Sequence, residues 1–131
     1  MSVKKVEKKV AKIQLNSKYF TLGEFACKCG CGIEQKLQPP KELLEVLDDV
    51  RQHFGVPVHI TSGVRCTEYN ARVGGKPGST HQLGKAADIQ VQGVNPKVVH
   101  AYLVGKYHDK YGIGKYFLFT HIDVRKCKAR W

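Results

Sequence analysis

The sequence has no long apolar run, and this absence limits the class of protein. None of its apolar stretches approaches the roughly 18 residues that a membrane-spanning helix needs. The basic residues near its start are not followed by the apolar core of about 7–15 residues that a secretory signal contains. We therefore expect a protein with no transmembrane segment and no signal peptide, made in the cytoplasm. Internal repeats and low-complexity linkers are missing as well, and 131 residues suit a single domain.

Acidic residues are scarce: 11 Asp and Glu stand against 22 Lys and Arg, a formal net charge of +11. Residues 1–18 hold six Lys and one Glu, net +5, and residues 124–131 hold two Arg and two Lys, net +4. The stretch 19–123, with 12 basic and 10 acidic residues, is nearly balanced. We therefore predict a basic N-terminal arm, residues 1–18, and a single domain, residues 19–131.

Basic chain ends favour a polyanionic partner, which can be a nucleic acid, an anionic membrane surface or an anionic cell-wall polymer. A solvated tail that only aids solubility is the alternative. Arginine is sparse, with five in total, and no predicted helix clusters these residues as a nucleic-acid-reading helix would. The sequence therefore predicts no specific nucleic-acid partner.

Hydrophobic periodicity predicts alternating helices and strands. Pro39 and Pro40 are well placed to open a helix with one apolar face up to Phe54, and Gly55 suits its end. Runs of β-branched residues and alternating patterns predict the strands. Beyond that helix, the sequence predicts a strand at 56–61, a helix at 68–73, a strand at 86–91, a helix at 96–107 and a strand at 116–124. The predicted class is α+β, a small antiparallel or mixed sheet with packed helices.

Three polar residues lie where the pattern expects a core. His81 lies on a glycine-rich loop, Asp88 falls inside the strand at 86–91, and His121 falls inside the last strand. Two histidines and one carboxylate form a common catalytic zinc shell, which leaves a fourth position for water. From the residues alone, the alternative is that the histidines are hydrogen-bonded core residues and that Asp88 caps a loop.

Several ordered motifs resemble one family. Residues 79–88 match S-x-H-x-x-G-x-A-x-D, an H-x-D strand follows at 121–123, and FTLGEFACKCGCG, SGVRC and GIGKYFLFTHIDVR accompany them. Together they resemble the peptidase M15 family, which contains zinc D-Ala-D-Ala carboxypeptidases and related peptidoglycan peptidases. The resemblance runs from about Phe20 to Arg125 and implies the fold that this family shares with the Hedgehog signalling domain.

The resemblance also implies roles for single residues. His81, Asp88 and His121 match the zinc ligands of the family. Arg65 matches the arginine that holds a substrate carboxylate or carbonyl, a task that suits the guanidinium fork. Ser79 matches a motif serine and is expected to bind the substrate or the zinc loop.

The chain departs from the family at the general base. Several members carry an Asp or Glu three residues before the last zinc histidine, where this chain has Leu118. Asp123 is the nearest ionisable candidate, because it lies two residues after His121 on the same strand face. We therefore name Asp123 as the candidate base. The alternative is that Asp123 pairs with Arg65 or Arg125 and is structural.

The cysteines leave three alternatives open. Cys27, Cys29 and Cys31 form a C-x-C-x-C motif, and Cys66 and Cys127 lie elsewhere in the chain. The motif and Cys66 are candidates for a second, structural zinc site. A disulfide between the motif and Cys66 is the second alternative, and it requires an oxidising compartment. Free thiols are the third, and five cysteines leave at least one unpaired within the chain.

The family resemblance implies a zinc metallopeptidase that hydrolyses peptidoglycan stem peptides as a D-Ala-D-Ala carboxypeptidase or an endopeptidase. Zn²⁺ would activate a water for attack on the scissile amide. Leu118, where an acid is expected, supports the alternative of a non-catalytic, zinc-containing module that binds the cell wall or a protein. We expect a monomer that acts on the cell wall, either as an endolysin of the phage type or after export by another route.

Overall fold

A computed structural model describes residues 15–131, so most of the predicted basic arm lies outside the described residues. Two short 3₁₀ helices, Leu22–Phe25 and Ile33–Gln35, precede the regular elements. The helices are α1 (Lys41–Phe54), α2 (Thr67–Arg72) and α3 (Pro96–Lys106). The strands are β1 (Val58–Ser62), β2 (Ala86–Val91), β3 (Gly112–Lys115), β4 (Thr120–Asp123) and β5 (Ala129–Arg130). Among residues 15–131, no helix is both long and apolar enough to cross a membrane.

The strands form one mixed sheet in the order β1-β2-β4-β3-β5. Neighbouring strands are antiparallel except β3 and β5, which are parallel. The predicted α+β class is therefore confirmed. The strand at 86–91 is confirmed at its predicted bounds, and the first strand and all three helices are confirmed within about two residues.

One face of the sheet carries the hydrophobic core. Ala87, Ile89 and Val91 alternate along β2 onto that face, as the sequence pattern predicts, and all three are buried in the main cluster. Helix α1 covers them with its apolar face and ends at Gly55, whose φ of 67° gives the left-handed cap. Residues 86, 88 and 90 point to the opposite face. The core therefore holds β2 so that Asp88 projects away from it.

The prediction of one strand over 116–124 is wrong. Residues 120–123 are β4, residues 112–115 form the separate strand β3, and the chain between them turns, with the Tyr116 N–H donating to the Phe119 carbonyl. Glycine is unfavourable in strands, so the sequence pattern did not predict a strand at Gly112 and Gly114, where β3 lies. Both approach other groups closely: an added Cβ would lie 2.5 Å from Asp123 Oδ2 at Gly112 and 2.5 Å from the Trp131 ring at Gly114.

The basic stretch 124–131 is part of the folded sheet. Strand β5 pairs with β3, and the Arg130 guanidinium donates to the carbonyls of Tyr107, Lys110, Tyr111 and Ala129. These carbonyls lie at the end of α3, in the loop that follows it and in β5 itself. Two of the four cationic side chains in this stretch, Arg125 and Arg130, therefore bond within the domain, whereas Lys126 and Lys128 are exposed.

We expect Arg130→Ala to lower the free energy of unfolding by about 1–3 kcal/mol, because it removes the donors that satisfy these carbonyls. Urea titration followed by circular dichroism would measure the change. Lys128→Ala is the matched control, since Lys128 is exposed in the same segment. Equal stability of the two variants would contradict the role given to Arg130.

Candidate metal centre

Three donor atoms converge on the sheet face opposite the core: His81 Nε2, Asp88 Oδ1 and His121 Nδ1. His81 Nε2 lies 3.2 Å from Asp88 Oδ1, and His121 Nδ1 lies 2.9 Å from the same oxygen. All three atoms lie within 4.8 Å of one another, and all three side chains are buried. The structure therefore brings together the three residues that the sequence analysis predicts as ligands.

Strand register accounts for two of the three donors. Asp88 in β2 is directly opposite His121 in β4, so both side chains project from the same face. His81 comes from the turn before β2. The Lys85 N–H closes this turn on the Thr80 carbonyl at 3.0 Å, and the Arg65 N–H donates to the His81 carbonyl at 3.0 Å. Backbone hydrogen bonds thus hold the loop donor against the two strand donors.

The second nitrogen of each histidine is bound to a hydrogen-bond acceptor. His81 Nδ1 lies 2.7 Å from the Gly63 carbonyl oxygen, and His121 Nε2 lies 2.8 Å from Asp123 Oδ2. The Gly63 carbonyl can only accept, so His81 Nδ1 carries a proton, whereas His121 has a carboxylate beside each of its two nitrogens. A metal cation bound beside Asp88 would replace any proton there and be ligated by the nitrogens that face Asp88, while Asp123 keeps the proton on His121 Nε2. This is the orientation in which histidines ligate metals.

The donor set fits a zinc ion. Two nitrogen lone pairs and a carboxylate oxygen directed at one point repel one another unless a cation lies between them. Imidazole nitrogens and one carboxylate are ordinary ligands of catalytic zinc, and three protein ligands leave a position open. The fit therefore rests on the chemistry of the donors as well as on their proximity.

The two carboxylates at the centre are ionised. Burial alone would raise the pKa of Asp88, but hydrogen bonds from His121 and His81 outweigh it and hold this pKa at about 2. Burial likewise opposes ionisation of Asp123, and its bonds to Arg125 and His121 outweigh it, so its pKa is lowered well below the usual range. For His121, burial favours the neutral ring, yet its bonds to the two carboxylates raise its pKa. A proton or a metal cation is thus stabilised between the donors.

Arg65 touches the centre directly. Its NH2 lies 3.3 Å from Asp88 Oδ2, its Nε donates to Ser62 Oγ at 3.1 Å, and its NH1 donates to Asn70 Oδ1 at 3.3 Å. Arg65 therefore binds the Asp88 oxygen that does not face the histidines. Ser79 Oγ accepts from the His81 N–H at 3.2 Å, which places it in the loop that carries this donor.

A cleft of about 880 Å³ opens over the three donors. Arg65 and Ser79 line it, and one wall is aromatic, with Tyr116, Phe119 and Trp131. The Trp131 Nε1–H donates to Tyr116 Oη at 2.8 Å, and the Trp131 ring centroid lies 5.0 Å from that of His121. Sequence reasoning missed this wall, because it depends on the turn after β3 and on the pairing of β5 with β3.

Asp123 lies behind His121 rather than in the cleft. It is 0% exposed, and both of its oxygens accept hydrogen bonds from the Arg125 guanidinium at 2.7–2.8 Å. Thr80 Oγ1 also donates to it, at 3.2 Å. The pairing with Arg125 was the structural alternative to the base role. These contacts favour Asp123 as a positioning residue that orients His121, and the base role stays a prediction.

Leu118 lies at the turn between β3 and β4. It is 65% exposed, and its carbonyl accepts from Gln90 Nε2 at 2.9 Å. It does not belong to the lining of the cleft over the donors. Among residues 15–131, the one carboxylate that lines this cleft is Asp88, which is already bound to both histidines and to Arg65.

We expect Asp123→Asn to weaken zinc binding by about 10–100-fold, the usual cost of losing a carboxylate behind a ligating histidine. The asparagine removes the negative charge that holds His121 and leaves Arg125 without its partner. Competition with a chromophoric zinc chelator would measure the affinity. Unchanged zinc affinity together with lost turnover would instead support the role of Asp123 as base.

Comparison with curated protein sequences finds no matching relative. The family model described as Peptidase M15 matches residues 18–123, which is most of the chain and includes every residue of the metal centre and its supports up to Asp123. The motifs that resembled this family in the sequence are thus the segments that carry the donors in the fold. The chain belongs to the peptidase M15 family.

Proposed function

We propose that the chain is a zinc-dependent peptidase that hydrolyses peptide bonds in peptidoglycan stem peptides, as a D-Ala-D-Ala carboxypeptidase or as an endopeptidase. The observation that carries the proposal is the convergence of His81 Nε2, Asp88 Oδ1 and His121 Nδ1 at the wall of an open cleft. Membership of a peptidase family supports hydrolysis of a peptide bond as the reaction.

His81, Asp88 and His121 would hold the zinc ion. When bound, zinc supplies a Lewis acid that polarises a carbonyl and lowers the pKa of a water. The Gly63 carbonyl holds the His81 ring, and the Asp123 carboxylate holds the His121 ring, so neither ring has to reorient to present its ligating nitrogen. Because these two groups hold the rings in place, zinc binding would not have to order the donor side chains.

The charge around the cleft supports an anionic peptide as substrate. Three cationic side chains, Arg65, Lys76 and Arg125, belong to its lining; Arg65 pairs with Asp88 and Arg125 with the buried Asp123, which leaves the exposed Lys76 as the positive charge in excess among these residues. A guanidinium binds a carboxylate through two parallel hydrogen bonds, which suits Arg65 to the free carboxylate of a peptide. Stem peptides of peptidoglycan carry such carboxylates on their terminal and D-glutamate residues.

Ser79 and the aromatic wall complete the proposed substrate site. Ser79 Oγ already accepts from the His81 N–H, and its own hydroxyl proton is available to a substrate carbonyl at the cleft. Tyr116, Phe119 and Trp131 offer an apolar surface for the methyl groups of alanine residues. These residues would orient the peptide, while Arg65 holds its carboxylate.

A non-catalytic, zinc-containing binding module is the second candidate. The observation that favours it is the lack, among the described cleft residues, of a carboxylate free to take a proton: Asp88 is bound to three partners, and Asp123 is buried behind His121. Such a module would use the same cleft to hold a wall peptide or a protein segment without cleaving it.

We expect the zinc-loaded protein to release peptides or D-alanine from purified peptidoglycan, and we expect chelation or His81→Ala to abolish this release. His108→Ala is the matched control, because His108 is exposed and outside the cleft. Mass spectrometry of the products would also identify the bond that is cut. Wall binding with full zinc content but no product would favour the binding module.

The proposed site of action is the cell wall, reached by lysis as with an endolysin or by export along another route, with the chain acting as a monomer. The N-terminal arm is proposed to hold the enzyme on an anionic wall polymer. Residues 1–14 contain five Lys and one Glu, net +4, whereas Ser17 Oγ already donates to Asp48 at 2.7 Å within the domain. Residues 1–14 are therefore the part to remove in a test.

We expect deletion of residues 1–14 to weaken sedimentation with purified cell walls at low salt, because about four net positive charges are lost and such attraction is screened by salt. Cleavage of a soluble stem peptide should be unchanged. Equal wall binding with and without residues 1–14 would contradict this role and favour a solvated tail that only aids solubility.

A further inference from the structure

A second cluster of metal-ligating side chains lies outside the cleft. The sulfur atoms of Cys27, Cys29, Cys31 and Cys66 all lie within 4.8 Å of one another. Three come from one short loop, and the fourth comes from the N-cap of α2. The metal centre of the proposed peptidase uses none of them. We propose that these four cysteines bind one structural zinc ion, at a site separate from the His81, Asp88 and His121 centre.

The sulfur separations fit a tetrahedral metal site. Cys27 Sγ lies 3.4 Å from Cys29 Sγ and 3.8 Å from Cys66 Sγ, and Cys29 Sγ lies 3.6 Å from Cys66 Sγ. Four thiolates at the usual Zn–S distance of about 2.3 Å stand about 3.8 Å apart at the corners of a tetrahedron. A single disulfide would use two of these sulfurs and leave the other two gathered beside it without a function.

The loop is shaped to return its sulfurs to one point. Gly30 and Gly32 have φ values of 82° and 79°, a left-handed backbone that side chains disfavour, and the Gly30 N–H closes a turn on the Cys27 carbonyl at 3.0 Å. The left-handed glycines bend the loop, so Cys29 and Cys31 both stay close to Cys27. The glycines of the C-x-C-G-C-G motif are thus explained by the left-handed backbone that the loop needs at these two positions.

Backbone donors already face the sulfurs. The Cys66 N–H points to Cys27 Sγ at 3.4 Å, and the Tyr69 N–H points to Cys66 Sγ at 3.4 Å. Hydrogen bonds from N–H groups favour negative charge on sulfur, and the thiolate is the form that ligates zinc. Four protein ligands close the shell, so the ion would have a structural role and no open position for chemistry.

The cluster ties the cysteine loop to the segment that supports the catalytic donors. Cys66 follows Arg65, which binds Asp88, and Gly63 provides the carbonyl that binds His81. The same segment pairs with the loop region through the Val64 N–H and the Phe25 carbonyl at 3.0 Å. A Cβ on residue 63 would lie 2.5 Å from that carbonyl oxygen, so the two backbone segments are in direct contact. A zinc ion here would stabilise the segment that contains Gly63 and Arg65.

The test counts metal ions on the full chain, purified under reducing conditions and saturated with zinc. We expect two zinc ions per chain by elemental analysis, one in Cys66→Ser and one in His81→Ala. Cys127→Ser is the matched control and should retain two, because Cys127 is exposed and outside the cluster. Cobalt substitution should give a sulfur-to-metal charge-transfer band that His81→Ala keeps and Cys66→Ser loses.

A second measurement needs no variant and covers the case in which Cys66→Ser fails to fold. In the zinc-loaded wild-type chain, we expect one thiol, Cys127, to react quickly with a thiol reagent and four more to react once a chelator is added. A His81→Ala variant that retains no zinc, no sulfur-to-metal band, or a mass two hydrogens lower than that of the reduced chain would each overturn the proposal. None of these readouts depends on peptidase activity, so the two proposals stand or fall separately.

Discussion

The structure depends on one buried charge, the Asp88 carboxylate. A buried and unpaired carboxylate costs several kcal/mol, so it is retained only where partners surround it. Here one oxygen faces His81 and His121, and the other faces Arg65. Each of those side chains is in turn held by a second group. Gly63 holds His81, Asp123 holds His121, and Asn70 holds Arg65. The polar face of the sheet is thus a network built outward from a single strand position.

The segment 63–66 links the two clusters of potential ligands. It contacts His81 and Asp88 of the candidate metal centre through Gly63 and Arg65, and it contributes Cys66 to the sulfur cluster. These residues are consecutive, so the two clusters share one short backbone segment. A closed metal shell in the cysteine loop would hold that loop against this segment, because metal binding contributes directly to the free energy of folding.

The net charge of +11 divides into parts with different roles in the structure. Arg65 and Arg125 bind the two buried carboxylates of the centre, and Arg130 binds carbonyl groups around the end of α3. All three arginines bond within the domain, and Arg65 and Arg125 also line the cleft. The lysines at residues 1–14 lie outside the described residues, and for them the proposed role is attraction to an anionic polymer.

The sequence by itself determined the helices, the strands β1 and β2, and the family, because these follow from local periodicity and from motifs of fixed spacing. It also identified His81, Asp88, His121 and Arg65, which the fold brings together. Only the tertiary structure decided which nitrogen of each histidine faces Asp88 and that Asp123 lies behind His121. The strands β3 and β5 and the aromatic wall of the cleft were also visible only in the tertiary structure. These features depend on pairing between distant strands and on close approach at glycines, which no local pattern records.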